Sequence, residues 1–178
     1  MKAANYSFIV RPANDSVEAG LCSSCSPEQF VADLSLLKAQ AVADFSSNAL
    51  VIGADTVAEI DGRILGKPKD DQHARKMLEL LSGRLHRVLT GISICRTDRA
   101  GCVTRVEQTK LRMAPLSDRQ ISDYLETEQW IGKAGAFGYQ DGPEWLHVVD
   151  GLESNVVGLP VERIGDMLVE LVKLTESQ

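Results

Sequence analysis

One stretch, residues 50–70 (LVIGADTVAEIDGRILGKPKD), limits what this chain can fold into more than any other. Leu50, Val51 and Ile52 form a short continuous apolar run, the pattern of a strand buried on both faces. The run ends at Gly53-Ala54, and the next side chains are Asp55 and Thr56. Ligands of open α/β sheets bind just beyond the carboxyl ends of strands, so a carboxylate there is placed to hold a divalent cation or to take a proton from water. Val57, Ala58 and Ile60 continue as strand, Asp61-Gly62 is a strong hairpin signal, and Arg63-Ile64-Leu65 returns. Gly66-Lys67-Pro68 then delivers one lysine on a stiff turn before a helix. An acid and an amine brought together by a hairpin suit a substrate made of polyphosphate and metal.

Composition sets the outer limits. A chain of 178 residues, 44% hydrophobic, suits one globular domain with a substantial core. A net charge of −6 and a pI near 5.1 argue against a general binder of nucleic acid or anionic membrane, so any cationic phosphate site is local. No apolar run approaches the roughly 18 residues of a membrane span, and the N-terminus lacks the apolar core of a signal peptide. A cytoplasmic location is the expectation. Cys22-x-x-Cys25 has the spacing of half a zinc site, but Cys95 and Cys102 are spaced differently and no histidine is near in sequence. The four cysteines are expected to be reduced, non-ligating thiols, with Cys95 and Cys102 as strand residues flanking a turn.

In chain order, residues 6–10 read as a strand and 11–25 as a polar loop whose acids, Asp15 and Glu18, suit solvent. Ser26, Pro27 and Gln29 occupy N-cap, N1 and N3 of a helix with a capping box, and Phe30, Leu34, Leu37 and Ala41 share one face. Lys38, beside that stripe, reads on its own as a snorkelling surface lysine. Asp70 or Asp71 caps a second helix that turns Ala74, Met77, Leu78 and Leu81 inward and stops at Gly83. Residues 88–96 and 102–113 are two strands joined by a turn, and Ser117 caps a helix carrying Ile121, Tyr124 and Leu125. Trp130 lies in the exit loop as a packing residue. Residues 133–140 (KAGAFGYQ) are too rich in glycine and alanine for a core strand; small residues admit a flat ligand, and the Gln140 amide offers a donor and an acceptor. Residues 146–149 and 152–157 read as a last strand pair, and Pro160 opens a helix with Ile164, Met167, Leu168 and Leu171. Without repeats or linkers, the expectation is a single α/β domain.

Four blocks, GADTV, GKPKD, a helix ending LSG, and His86-Arg87-Val88-Leu89-Thr90-Gly91, resemble in order those of the Maf family of nucleoside triphosphate pyrophosphatases. KAGAFGYQ and NVVGLP are similar to two further family blocks, and the resemblance runs over residues 8–171. It implies a mixed twisted sheet flanked by helices, of the Maf/inosine-triphosphatase-like kind, and hydrolysis of a triphosphate to monophosphate and pyrophosphate with Mg²⁺ or Mn²⁺. By resemblance, Asp55 is the base and a metal ligand, and Glu18 matches the acid that closes the family's post-strand loop and shares the metal. Lys38, in a Lys-Ala pair, and Lys67 neutralise phosphates, while Thr56 and Gln140 read the nucleoside. Gln140 places the chain nearest the branch that prefers dTTP and UTP. His86 orders a loop rather than moving protons, and the family implies a homodimer.

The family's opening Ser-x-Ser-Pro-Arg-Arg has no counterpart in this sequence. That departure implies a chain truncated at its N-terminus relative to the family, or a start codon lying upstream. It leaves a second hypothesis open, a catalytically impaired nucleotide-binding or cell-division regulatory protein without the phosphate-gripping loop. A zinc-stabilised binding module is disfavoured by the cysteine spacing.

Overall fold

The computed structural model describes residues 7–13, 25–98, 101–141 and 143–176. Its helices are α1 (Pro27–Ala43), α2 (Asp71–Leu81), α3 (Asp118–Glu126), the short α4 (Glu153–Val156) and α5 (Val161–Glu176). The strands are β1 (Leu50–Ile60), β2 (Arg63–Leu65), β3 (Leu85–Arg96), β4 (Cys102–Met113) and β5 (Leu146–Asp150), in the sheet order β2-β1-β3-β4-β5. This is the α/β class expected, with the sheet antiparallel. The hairpin at Asp61-Gly62 forms as read: both residues have positive φ (52° and 77°), and Ala58, Glu59 and Ile60 pair with Leu65, Ile64 and Arg63.

By compactness the chain divides into two units, residues 1–55, 90–107 and 158–178 in one and 56–89 and 108–157 in the other. In the first, Ile92, Ile94 and Val103 form a core with Ile164, Met167 and Leu171 of α5, the apolar face expected of that helix. Helix α1 starts at Ser26, whose hydroxyl accepts from the Gln29 amide at 3.1 Å. The capping box is half made, because the Gln29 side chain turns to Asp33 instead (2.7 Å). The face of α1 that is buried is Val31, Leu34, Ser35 and Ala39, not the expected Phe30, Leu34, Leu37 and Ala41. Sheet glycines explain the rotation. A Cβ at Gly53 would collide with the Ser35 carbonyl and lie 2.6 Å from the Ala39 nitrogen, and one at Gly91 would strike the Val31 carbonyl. Backbone approaches backbone there, so the helix presents its small residues.

The same approach corrects the reading of β1. Gly53-Ala54 does not end the strand; β1 runs unbroken from Leu50 to Ile60, with Asp55 in its middle rather than beyond its end. The opening run is not buried on both faces, since Leu50 is exposed and Val51 and Ile52 are half-buried. Nor do residues 7–10 form a strand; they have no regular structure, and Ile9 is 84% exposed. Tyr6 lies outside the described residues. The cysteine expectation is also corrected. Cys95 and Cys102 face each other across the β3–β4 hairpin, beside the Arg96 amide bonded to the Gly101 carbonyl, and are joined by a disulfide. Cys22 lies outside the described residues.

The second unit has its own core. Ala58, Ile60 and Val88 pack with Leu111 and Met113 of β4, with Ala74, Met77, Leu78 and Leu81 of α2, and with Ile121, Tyr124, Trp130 and Phe137. Its caps are those expected: the Asp70 carboxylate accepts from the His73 amide at 2.7 Å, and Ser117 and Gln120 complete a capping box on α3. Trp130 packs as expected, its indole donating to the Leu125 carbonyl (3.0 Å). Residues 152–157 are not a strand. Asn155 is fully buried and donates to the Val88 carbonyl (3.1 Å) and Thr109 Oγ1 (3.0 Å), and Thr109 also holds the backbone of Leu152. Those long-range bonds wind the segment into α4.

Candidate active site

Two of the nominated residues meet in the first unit. Lys38 reaches from α1 to Asp55 of β1, Nζ to Oδ1 at 2.5 Å, with side chains 22% and 15% exposed. The Gly53 contact makes this possible: residues two apart on a strand share a face, and residues one turn apart on a helix lie one above the other. The approach of Ser35 and Ala39 to Gly53 therefore places Lys38 over Asp55. A chain of hydroxyls seats the helix further. Ser35 shares a hydrogen bond with Ser93 (2.9 Å), and Ser93 with Thr104 (2.8 Å), tying α1 to β3 and β4. These buried hydroxyls carried no signal in the sequence beyond being polar residues at apolar positions.

The second unit holds three more. Lys67 is exposed on the turn after β2, and the carbonyl of the preceding Gly66 accepts from the Gly135 amide at 3.1 Å. The lysine turn is thus stitched to the segment 133–141, which makes two 3-10 turns, Ala134–Ala136 and Tyr139–Asp141. Thr56 is half-buried and, by strand alternation, on the face of β1 opposite Asp55. That is also the face of Ala58, whose methyl lies against Gly135. Gln140 is exposed. Glu18 lies outside the described residues.

His86 is buried under the same segment, its ring edge-on to Phe137 with centroids 5.3 Å apart. Burial pushes its pKa down to about 4, outweighing the upward pull of the Arg84 backbone and Glu59. A neutral imidazole packed on Phe137 supports a loop and is no proton carrier at pH 7. Tyr124 of α3 reaches the segment too, its hydroxyl accepting from the Gly138 amide (3.1 Å), and burial pushes its pKa up to about 12. A cavity of about 280 Å³ in this unit is lined by His86 and by Glu59, Asp61, Leu85, Arg87 and Lys110; of these, His86 alone has a functional role in the sequence reading. There the buried Glu59 accepts from Arg87 Nε (2.5 Å) and from the Gly62 amide (2.5 Å), a structural pairing at the hairpin.

In the first unit a carboxylate touches an ammonium, and in the second a glycine-rich segment is stitched to an exposed lysine turn; each by itself offers charge suited to anionic groups. The chain belongs to the Maf-like protein family, whose model matches residues 1–171. It is 47% identical over 169 residues to a dTTP/UTP pyrophosphatase of Rhodopirellula baltica, covering 94% of this chain and 74% of that protein. It is 42% identical over 150 residues to one of Pyrococcus abyssi, covering 84% and 77%. To one of Bacillus cereus it is 38% identical over 149 residues, covering 83% and 77%. Among the described residues, no helix is long and apolar enough to cross a membrane.

Proposed function

We propose that this chain hydrolyses dTTP and UTP to the monophosphate and pyrophosphate. The observation that carries the reading is the Lys38–Asp55 contact at 2.5 Å, in a chain similar to three dTTP/UTP pyrophosphatases. The reaction needs a water deprotonated at the α-phosphorus and cations opposite the negative charge that grows on the phosphate oxygens. Asp55 takes the proton. Lys38 holds the Asp55 carboxylate in place until a phosphate competes for its ammonium, which frees the base when substrate is present. Lys67, exposed on its turn, neutralises a second phosphate, and Thr56 and Gln140 contact the nucleoside.

The donor chemistry fits Mg²⁺ or Mn²⁺. Such ions take oxygen ligands and need only one or two protein carboxylates when substrate phosphates complete the shell. Asp55, with Glu18, would hold the ion. Among the described residues no three His, Cys, Asp or Glu side chains form a cage, so the phosphates would supply the remaining ligands. When bound, the ion supplies charge neutralisation at the phosphate oxygens and the leaving pyrophosphate. Assembly as a homodimer belongs to the same reading, and sedimentation of the purified chain measures it directly.

The deciding experiment is a panel of dTTP, UTP, ATP, GTP and 7-methyl-GTP with Mg²⁺ or Mn²⁺, scored for monophosphate and pyrophosphate. Preferred turnover of dTTP and UTP is expected. Nucleotide binding without turnover would replace the enzymatic reading with the regulatory one, and equal rates on all substrates would remove the specificity alone.

A further inference from the structure

The residues on either side of Gln140 are held, while its own side chain is exposed. Before it, the Tyr139 hydroxyl donates to Glu153 of α4 at 2.8 Å. After it, the Asp141 carboxylate is ion-paired with Lys133, at the other end of the same segment, and both side chains are largely buried (23% and 19% exposed). The pair lies across Gly138, where a Cβ would overlap both the Asp141 carboxylate and the Lys133 ammonium. Gly138 is fixed in turn by its backbone N–H, which donates to the Tyr124 hydroxyl. The segment is therefore a closed loop, clasped at 133 and 141 and pinned at its middle.

We infer that Lys133 and Asp141 are positioning residues for pyrimidine selection, holding the backbone that presents Gln140. The inference rests on the reading of Gln140 proposed above. A single amide reading one base edge must already be in place, because ordering a loose loop on binding subtracts from affinity. Misplacement by about an ångström loses the hydrogen bonds that separate uracil from a purine. Neither Lys133 nor Asp141 need touch the substrate for this. With its charge matched by Asp141, Lys133 is also a poorer phosphate ligand than the exposed Lys67.

The test uses the full chain with two variants, Asp141→Asn, which keeps the volume, and Gly138→Ala, which wedges the pair apart from the backbone side. Either variant that melts cooperatively decides the matter alone. Each is expected to lower kcat/KM for dTTP and UTP about ten-fold through KM, with kcat changed no more than about two-fold. Activity on ATP should stay level, so pyrimidine discrimination falls by the same factor. Inorganic tripolyphosphate, which has no base, should inhibit the variants as it inhibits the parent. A folded variant with unchanged discrimination overturns the inference. An equal loss on all nucleotides, with weakened tripolyphosphate inhibition, also overturns it, since that is the mark of a general structural role. Failure of the underlying reading shows earlier and separately, as a parent enzyme with no pyrimidine preference.

Discussion

Asp55 and Asn differ by one proton-accepting oxygen, so a single substitution separates the base from the scaffold. Asp55→Asn keeps the shape beneath α1 but removes the charge that pairs with Lys38 and, with it, the base proposed for the reaction. A loss of at least about 100-fold in kcat is expected, with the circular dichroism spectrum unchanged. Activity within a few-fold of the parent would show that the base lies elsewhere. Gln140 has the opposite profile, exposed and outside the core. Gln140→Ala should leave the melting temperature in place while costing roughly 1–3 kcal/mol in kcat/KM for dTTP, since the role proposed for Gln140 would leave a base edge unpaired in the complex. A dTTP titration beside a thermal melt measures both.

The elements are placed by close approaches that have little to do with propensity. Helix α1 lies against β1 and β3 because Gly53 and Gly91 offer bare backbone to Ser35, Ala39 and Val31. Gly53→Ala puts a methyl where the neighbours are helix backbone, which cannot rotate away. About 1–3 kcal/mol of destabilisation is expected, together with lost activity as Lys38 lifts from Asp55. Gly66 is the control: nothing lies within 4 Å of the Cβ it would gain, so Gly66→Ala should leave the urea midpoint within error. The β3–β4 hairpin is closed by Cys95–Cys102, seven residues apart in sequence. In the chain-entropy view so short a loop is worth about 2 kcal/mol, which denaturation with and without a reductant would reveal.

For the whole molecule the pH response follows from His86. Folded, it titrates near 4; unfolded, near 6.5. Between these values the unfolded chain holds a proton that the folded chain excludes, so stability is full above pH 6.5 and falls as the pH drops toward 4. The loss amounts to roughly 3 kcal/mol over that window. Urea midpoints from pH 7 to pH 4.5 should fall less steeply in His86→Leu than in the parent; equal slopes would mean that His86 is already charged in the fold. The features readable from the chain alone are those that act within a few residues. The Asp70 and Ser117 caps, the Asp61-Gly62 hairpin, and the apolar faces of α2 and α5 are all set by contacts at three- or four-residue spacing or by a two-residue turn, and all are legible. The motif blocks around Asp55 and Lys67 were legible for the same reason, as contiguous residues. The features that emerged only in the fold depend on partners far along the chain. Gly53 looked like a strand end, because a glycine that breaks a strand and one that admits a helix are the same residue. Lys38 looked like a surface lysine, because its partner lies 17 positions away. Residues 152–157 looked like a strand until Asn155 met Val88 and Thr109, 67 and 46 positions away. Such contacts form only once the sheet has brought distant backbone together, and no local pattern carries their distance or direction.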